Sequence, residues 1–101
     1  MIGVSEKEFS LIHEVIRRYA ADCDIFAFGS RYKQMAKKYS DLDLAFDNGK
    51  PLSIARIQQL EEAFDESVLP YRVDVVDYCA ISEEFRTIID QGNERIFRGK
   101  R

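Results

Sequence analysis

The sequence predicts an α/β fold: a small mixed sheet with helices packed mainly on one face. Three observations predict it. Runs of strand formers recur at 25–28, 42–46 and 71–77, and the second alternates polar and apolar residues at the period of a strand half buried on one face. Segments with apolar residues at helical spacing, 5–20, 54–68 and 82–91, separate these runs. The connections are short, so with a helical turn over 31–38 the order reads α-β-α-β-α-β-α. A length of 101 residues fits a single domain spanning 1–101 with a modest core. The formal charge of -3 gives no sign of the basic face expected of a nucleic-acid binder.

The first helix opens on a capping box, Ser5-Glu6-Lys7-Glu8. Phe9, Ile12, Ile16 and Tyr19, with Val15 alongside, supply its apolar stripe. His13 is the only histidine; nothing near it in sequence would orient it as a base, so it reads as a residue of the helix surface. Asp22-Cys23-Asp24 breaks the helix and leads into the buried strand at 25–28. Cys23 and Cys79 match neither a disulfide framework nor a metal-ligand spacing, and read as buried thiols of a reducing cytosol. No apolar run approaches membrane-spanning length and the amino terminus lacks the regions of a signal peptide, which makes the expected location cytoplasmic.

The chemistry concentrates between Phe26 and Phe46. An apolar run ends in Gly29-Ser30, and ten residues after that serine comes Ser40-Asp41-Leu42-Asp43. On a strand Asp41 and Asp43 share a face, with Cα atoms about 6.6 Å apart, and Leu42 and Leu44 point the other way. Two like charges on one face repel unless a cation sits between them, and hard cations such as Mg²⁺ take oxygen ligands together with phosphates. Gly29 lets the backbone approach a phosphate, and Ser30 reads as a helix N-cap whose following N–H groups face an anion. If the strand before Gly29 runs antiparallel to 42–46, Gly29-Ser30 and the two aspartates share one sheet edge, a phosphate side beside a metal side. Arg31 and Lys33 read as a cationic rim for a triphosphate; Lys37 and Lys38 read equally as plain surface.

Asp74 interrupts the strand Tyr71-Arg72-Val73-Asp74-Val75-Val76-Asp77. A buried carboxylate there is costly unless paired or metal-bound. If this strand neighbours 42–46, at about 4.8 Å, Asp74 closes a three-carboxylate metal site with Asp41 and Asp43. Asp77 competes for that role but reads as a turn or cap residue at the strand end. The turn Asp47-Asn48-Gly49-Lys50-Pro51 and a cap at Ser53 open the middle helix, with Ile57, Leu60, Phe64 and Val68 as its stripe, and Leu69-Pro70 ends it. Ser82 caps the last helix, with Phe85, Ile88 and Ile89 inward and Gly92 as its stop. Residues 94–98 read as a short edge element or a docking segment, and Arg95, Arg98, Lys100 and Arg101 as a solvated basic end.

Gly29-Ser30, a spacer, Ser40-Asp41-x-Asp43-Leu44 and the later strand Asp74 together resemble the nucleotidyltransferases of the DNA polymerase beta superfamily, and at this length the minimal nucleotidyltransferase partner of HEPN toxins in toxin–antitoxin pairs. The resemblance covers roughly residues 8–98. It implies the nucleotidyltransferase fold, catalytic and metal-binding roles for Asp41, Asp43 and Asp74, and binding of the nucleotide at Gly29, Ser30, Arg31 and Lys33. It further implies two Mg²⁺ ions, ATP as donor, and a tyrosine hydroxyl of a cognate HEPN toxin as acceptor. The family's first motif commonly reads Gly-Ser-x-Ala-Arg-Gly; here the basic position is Lys33 and the second glycine is Gln34. That exchange keeps a second reading in view, a degenerate nucleotidyltransferase fold that neutralises a toxin by contact, and a third, a Mg²⁺–nucleotide sensor. A small sheet with one apolar face exposed needs cover, so a homodimer or a partner protein is expected.

Overall fold

The structure is a computed structural model that describes residues 2–35, 37 and 39–100. In chain order its elements are α1 (Glu6–Tyr19), β1 (Asp24–Phe28), α2 (Gly29–Tyr32), β2 (Leu42–Asp47), α3 (Ile54–Asp65), β3 (Val73–Asp77), α4 (Glu83–Asp90) and β4 (Glu94–Phe97). The four strands form one mixed sheet in the order β3-β2-β1-β4. β2 and β3 run parallel, and β1 is antiparallel to both β2 and β4.

Period-two alternation sorts the side chains into two cores. Ile25 and Ala27 of β1, Leu42, Leu44 and Phe46 of β2 and Val73 of β3 face α1 and α3, where they pack with Ile12, Ile16, Leu60 and Phe64. Phe28 and Ala45 face the other way and meet Ile89 of α4, with Phe85 edge-on to Phe28 at 5.9 Å between ring centroids. Helices α1 and α3 thus cover one face and α4 only part of the other. The capping box of α1 is formed: the Glu8 N–H donates to Ser5 Oγ at 3.1 Å, and the Ser5 N–H to Glu8 Oε1 at 3.0 Å.

The structure departs from the sequence reading at several places. Of the two readings of 94–98 the edge element is the one seen: Glu94–Phe97 is β4, a fourth strand on the outer side of β1, which the seven-element order did not count. The expected helical turn over 31–38 is the four-residue α2, whose N-cap position is Phe28, without a side-chain cap; Ser30 lies inside its turn. Lys37 is exposed, whereas Lys38 and Arg101 lie outside the described residues. α3 stops at Asp65, where the Ser67 hydroxyl takes the Phe64 carbonyl, so Val68 leaves the stripe and is 78% exposed. Ile88 is 63% exposed rather than packed inward.

His13 is not a free surface residue either. Its Nε2 lies 2.8 Å from the Ile96 carbonyl oxygen, and its ring sits against Phe9 and Phe97, which ties α1 to β4. Asp77 is buried; its Oδ2 accepts the Leu52 N–H at 2.8 Å and its Oδ1 the Cys79 N–H at 3.2 Å, a turn-holding role. Among the described residues no helix is long and apolar enough to cross a membrane.

Asp22, in the turn before β1, accepts from both terminal nitrogens of Arg56 on α3. That hydrogen bond, outweighing burial, holds the Asp22 carboxyl below its ordinary value. A carboxyl depressed in the folded state contributes stability above its unfolded pKa near 4, and the contribution is lost as pH falls through the folded value. Both side chains are partly exposed, so the size is modest. Asp22→Asn is expected to lower stability by about 0.5–1 kcal/mol at pH 7 and by much less at pH 3, as read by urea unfolding at the two pH values.

Candidate active site

The site forms where β1 ends and β2 begins. The antiparallel register sets Phe28 opposite Asp43, so Gly29 is delivered to the aspartate pair. Gly29 has φ +77°, the left-handed region in which glycine alone is unstrained. A Cβ built on it would clash with Asp43 Oδ2, so the absent side chain is what lets the carboxylate lie against the Gly29 backbone. The parallel register then sets Asp43 beside Asp74 on the next strand, both on the face opposite Leu42, Leu44 and Val73. Asp41 stands exposed just ahead of β2.

Burial pushes the Asp43 carboxyl up to about 6, and the charges of Asp74 and then Asp41 add to the rise, with a hydrogen bond to Asp74. The three carboxylates predicted to act together are therefore electrostatically coupled. They do not stand as a ready-made cage: among the described residues no group of three His, Cys, Asp or Glu side chains is close enough to hold a metal ion. The two findings agree once range is considered, because charge repulsion reaches further than a ligand shell. The donor set fits a hard divalent ion. All the donors are carboxylate oxygens, and the neighbouring charges felt by the half-buried Asp43 are negative.

Lys33 stands beside Gly29. Its exposed side chain lines a cleft of about 450 Å³ with Phe28, Gly29, Ile88, Gln91 and Gly92. Ile88 and Gln91 were not legible as site residues, since nothing in the helical pattern shows that the end of α4 reaches the Gly29 corner. Ser30 sits in the same turn, its carbonyl accepting the Met35 N–H at 2.9 Å.

Arg31 does not join the rim. It is 6% exposed, and its guanidinium donates to the carbonyls of Gly3 at 2.7 Å and Ser40 at 2.8 Å, and lies 3.8 Å over the Tyr71 ring. Its charge is turned into the scaffold, a placement that local sequence could not reveal because Gly3 and Tyr71 are remote in the chain.

Gln34 has φ +57°, the left-handed conformation that a glycine would supply at the end of the motif. Gln34 thus carries the backbone strain that a glycine there would avoid. Gln34→Gly is expected to stabilise the protein by up to about 1 kcal/mol, the relief of left-handed strain exceeding the entropy that glycine adds to the unfolded chain. Urea midpoints of the two proteins check this.

A strand-Gly-Ser-turn thus faces Asp-x-Asp, with a third Asp on the adjacent parallel strand, the arrangement expected from the resemblance of the sequence. The family described as "Polymerase beta, Nucleotidyltransferase" matches residues 11–101. The chain belongs to this family. Among curated relatives of this nucleotidyltransferase, the "Probable protein adenylyltransferase MntA" of Haemophilus influenzae is 43% identical over 88 residues, which is 87% of this chain and 77% of the relative. The fold is also that of a chain in a crystal structure of a toxin–antitoxin complex with AMP-PNP, at 21% identity and a TM-score of 0.76, over 92% of this chain and 74% of that one. It is similar as well to a chain in a structure of the tri-AMPylated Shewanella oneidensis HEPN toxin in complex with MNT antitoxin, at 18% identity and a TM-score of 0.70, over 94% and 72%.

Proposed function

We propose that this nucleotidyltransferase moves AMP from ATP to a tyrosine hydroxyl of a cognate HEPN toxin, with Mg²⁺, and so acts as the antitoxin in the cytoplasm. The observation that carries the reading is the corner where Gly29 packs on Asp43 while Asp43 neighbours Asp74. The adenylyltransferase name of the Haemophilus influenzae relative and the AMPylated toxin of the Shewanella oneidensis complex support the donor and the acceptor.

Asp41, Asp43 and Asp74 would hold Mg²⁺, which when bound neutralises triphosphate charge and makes an attacking hydroxyl more acidic. The Gly29-Ser30 backbone admits the β- and γ-phosphates at close range. Lys33 offsets the charge that collects on the leaving group. Asp74 accepts the proton of the tyrosine hydroxyl, whose oxygen forms the new bond to the α-phosphorus. The bond from that phosphorus to the α–β bridging oxygen breaks, and pyrophosphate leaves with the electron pair.

The test is transfer of label from α-labelled ATP to the purified helical toxin with Mg²⁺, comparing wild type with Asp41→Asn. Label on the toxin from wild type alone is the expected result. A stable complex that neutralises the toxin with no label, in wild type and variant alike, would replace the enzyme with a contact antitoxin. ATP binding without any acceptor would leave a nucleotide sensor.

A further inference from the structure

The backbone on either side of Asp41 is held by two different devices. On its carboxyl side, the Leu42 N–H donates to the Arg72 carbonyl at 2.9 Å, which hands the chain to the sheet. On its amino side there is no sheet partner, because β2 begins only at Leu42. There Lys37 and Ser40 are bonded to each other: the Ser40 N–H donates to the Lys37 carbonyl at 3.0 Å, and the Lys37 N–H donates to Ser40 Oγ at 2.9 Å. The guanidinium of Arg31 joins them. Nε donates to the Ser40 carbonyl at 2.8 Å, Nη2 reaches the Lys37 carbonyl at 3.4 Å, and Nη1 donates to the Gly3 carbonyl at 2.7 Å. The Ser40 carbonyl belongs to the peptide group that carries the Asp41 nitrogen, so a bond to it fixes the plane from which Asp41 projects.

The guanidinium is itself held from behind. It stacks on Tyr71, whose hydroxyl donates to Glu8 Oε1 at 3.1 Å, the same carboxylate that caps α1. The Gly3 N–H returns a bond to the Arg31 carbonyl at 2.8 Å, so the amino-terminal segment is pinned to both ends of the residue.

We propose that Arg31 is a positioning residue for Asp41: its buried guanidinium locks Lys37 and Ser40 to the amino-terminal segment and to Tyr71, and thereby sets the carboxylate for its metal and substrate. The inference rests on the adenylyl-transfer reading of the same site. Lysine cannot replace arginine here, since one ammonium cannot present a planar fork to several carbonyls while lying flat on a ring.

The test compares wild type with Arg31→Lys at a temperature where both are folded by circular dichroism. Amide exchange at 40–42 should rise at least about tenfold while that at 25–27 stays unchanged. In the transfer assay kcat should fall by about tenfold or more and the Mg²⁺ concentration for half-maximal rate should rise severalfold, with KM for ATP within about twofold. Faster exchange with an unaltered kcat and Mg²⁺ dependence would reduce Arg31 to scaffold and overturn the proposal. A raised KM for ATP with kcat intact would overturn it in favour of a phosphate ligand. Should wild type label no acceptor, the functional reading fails, and titration with Mn²⁺ alone decides the clamp. Weaker binding to Arg31→Lys than to wild type supports it, and equal binding, or none to either, overturns it. Tyr71→Leu, which keeps the carbonyl contacts and removes the stack, is read by the same measures if Arg31→Lys does not fold.

Discussion

Asp43→Asn is expected to abolish adenylyl transfer while raising the stability of the metal-free protein. Loss of transfer should be at least about 10³-fold, the range for removing a group that acts on charge at the reacting centre. The stability gain follows from the same placement. The carboxyl is half buried, and burial with the charges of Asp74 and Asp41 pushes it up to about 6, so near pH 7.5 it is ionised against its surroundings. An amide of the same shape removes that repulsion and can donate to Asp74. The gain is expected to be about 1–2 kcal/mol after allowance for solvent. Thermal melts in EDTA, beside the labelled-ATP assay, check both halves. A variant that is both inactive and less stable than wild type would contradict the account of Asp43 as a strained site carboxylate. One that still transfers AMP would remove it from the chemistry.

Gly29→Ala should damage fold and site together. The left-handed φ of +77° makes any side chain at this position strained, at about 1–2 kcal/mol. The new methyl would also occupy the place of Asp43 Oδ2, so the carboxylate must swing away from the Gly29 corner. Total destabilisation of roughly 2–4 kcal/mol is expected, with transfer reduced about 100-fold in the molecules that remain folded, since a displacement near 1 Å at the reacting centre costs that much. Measuring kcat well below the melting temperature separates the two effects. Full activity per folded molecule would show that Asp43 does not need its seat against Gly29.

Much of this corner was readable because its determinants are local. The alternation of 42–46 gave the faces of β2, the apolar run before Gly29 gave β1, and the hydrophilic break at Asp74 in a run of valines marked a residue kept for a reason other than packing. The capping box at Ser5 and Glu8 placed α1 within a residue. What escaped the reading depends on contacts between segments far apart. β4 is four residues long and its pattern is faint, so 94–98 read equally as an edge element or a docking segment, and its pairing with β1 was not legible. Arg31 reads as a phosphate ligand by its neighbours Gly29 and Ser30, and only folding brings Gly3 and Tyr71 to it. His13 looked solvent-facing until Ile96 supplied a carbonyl. Ile88 keeps helical spacing with Phe85 and Ile89, but α4 covers only part of its sheet face and leaves Ile88 on the rim of the cleft beside Lys33.

The parallel pairing of β2 with β3 has a consequence for the order in which the site is built. Gly29 and Asp43 are separated only by the short α2 and one loop, whereas parallel neighbours need a crossover, and here the chain must pass through the whole of α3 before Asp74 arrives beside Asp43. Contacts of greater sequence separation close later and more slowly. During folding the Gly29–Asp43 corner is thus expected to form first and its pairing with Asp74 last. A chain caught before that final closure would hold Asp43 without Asp74 beside it, so the paired carboxylates mark a molecule that has completed its fold.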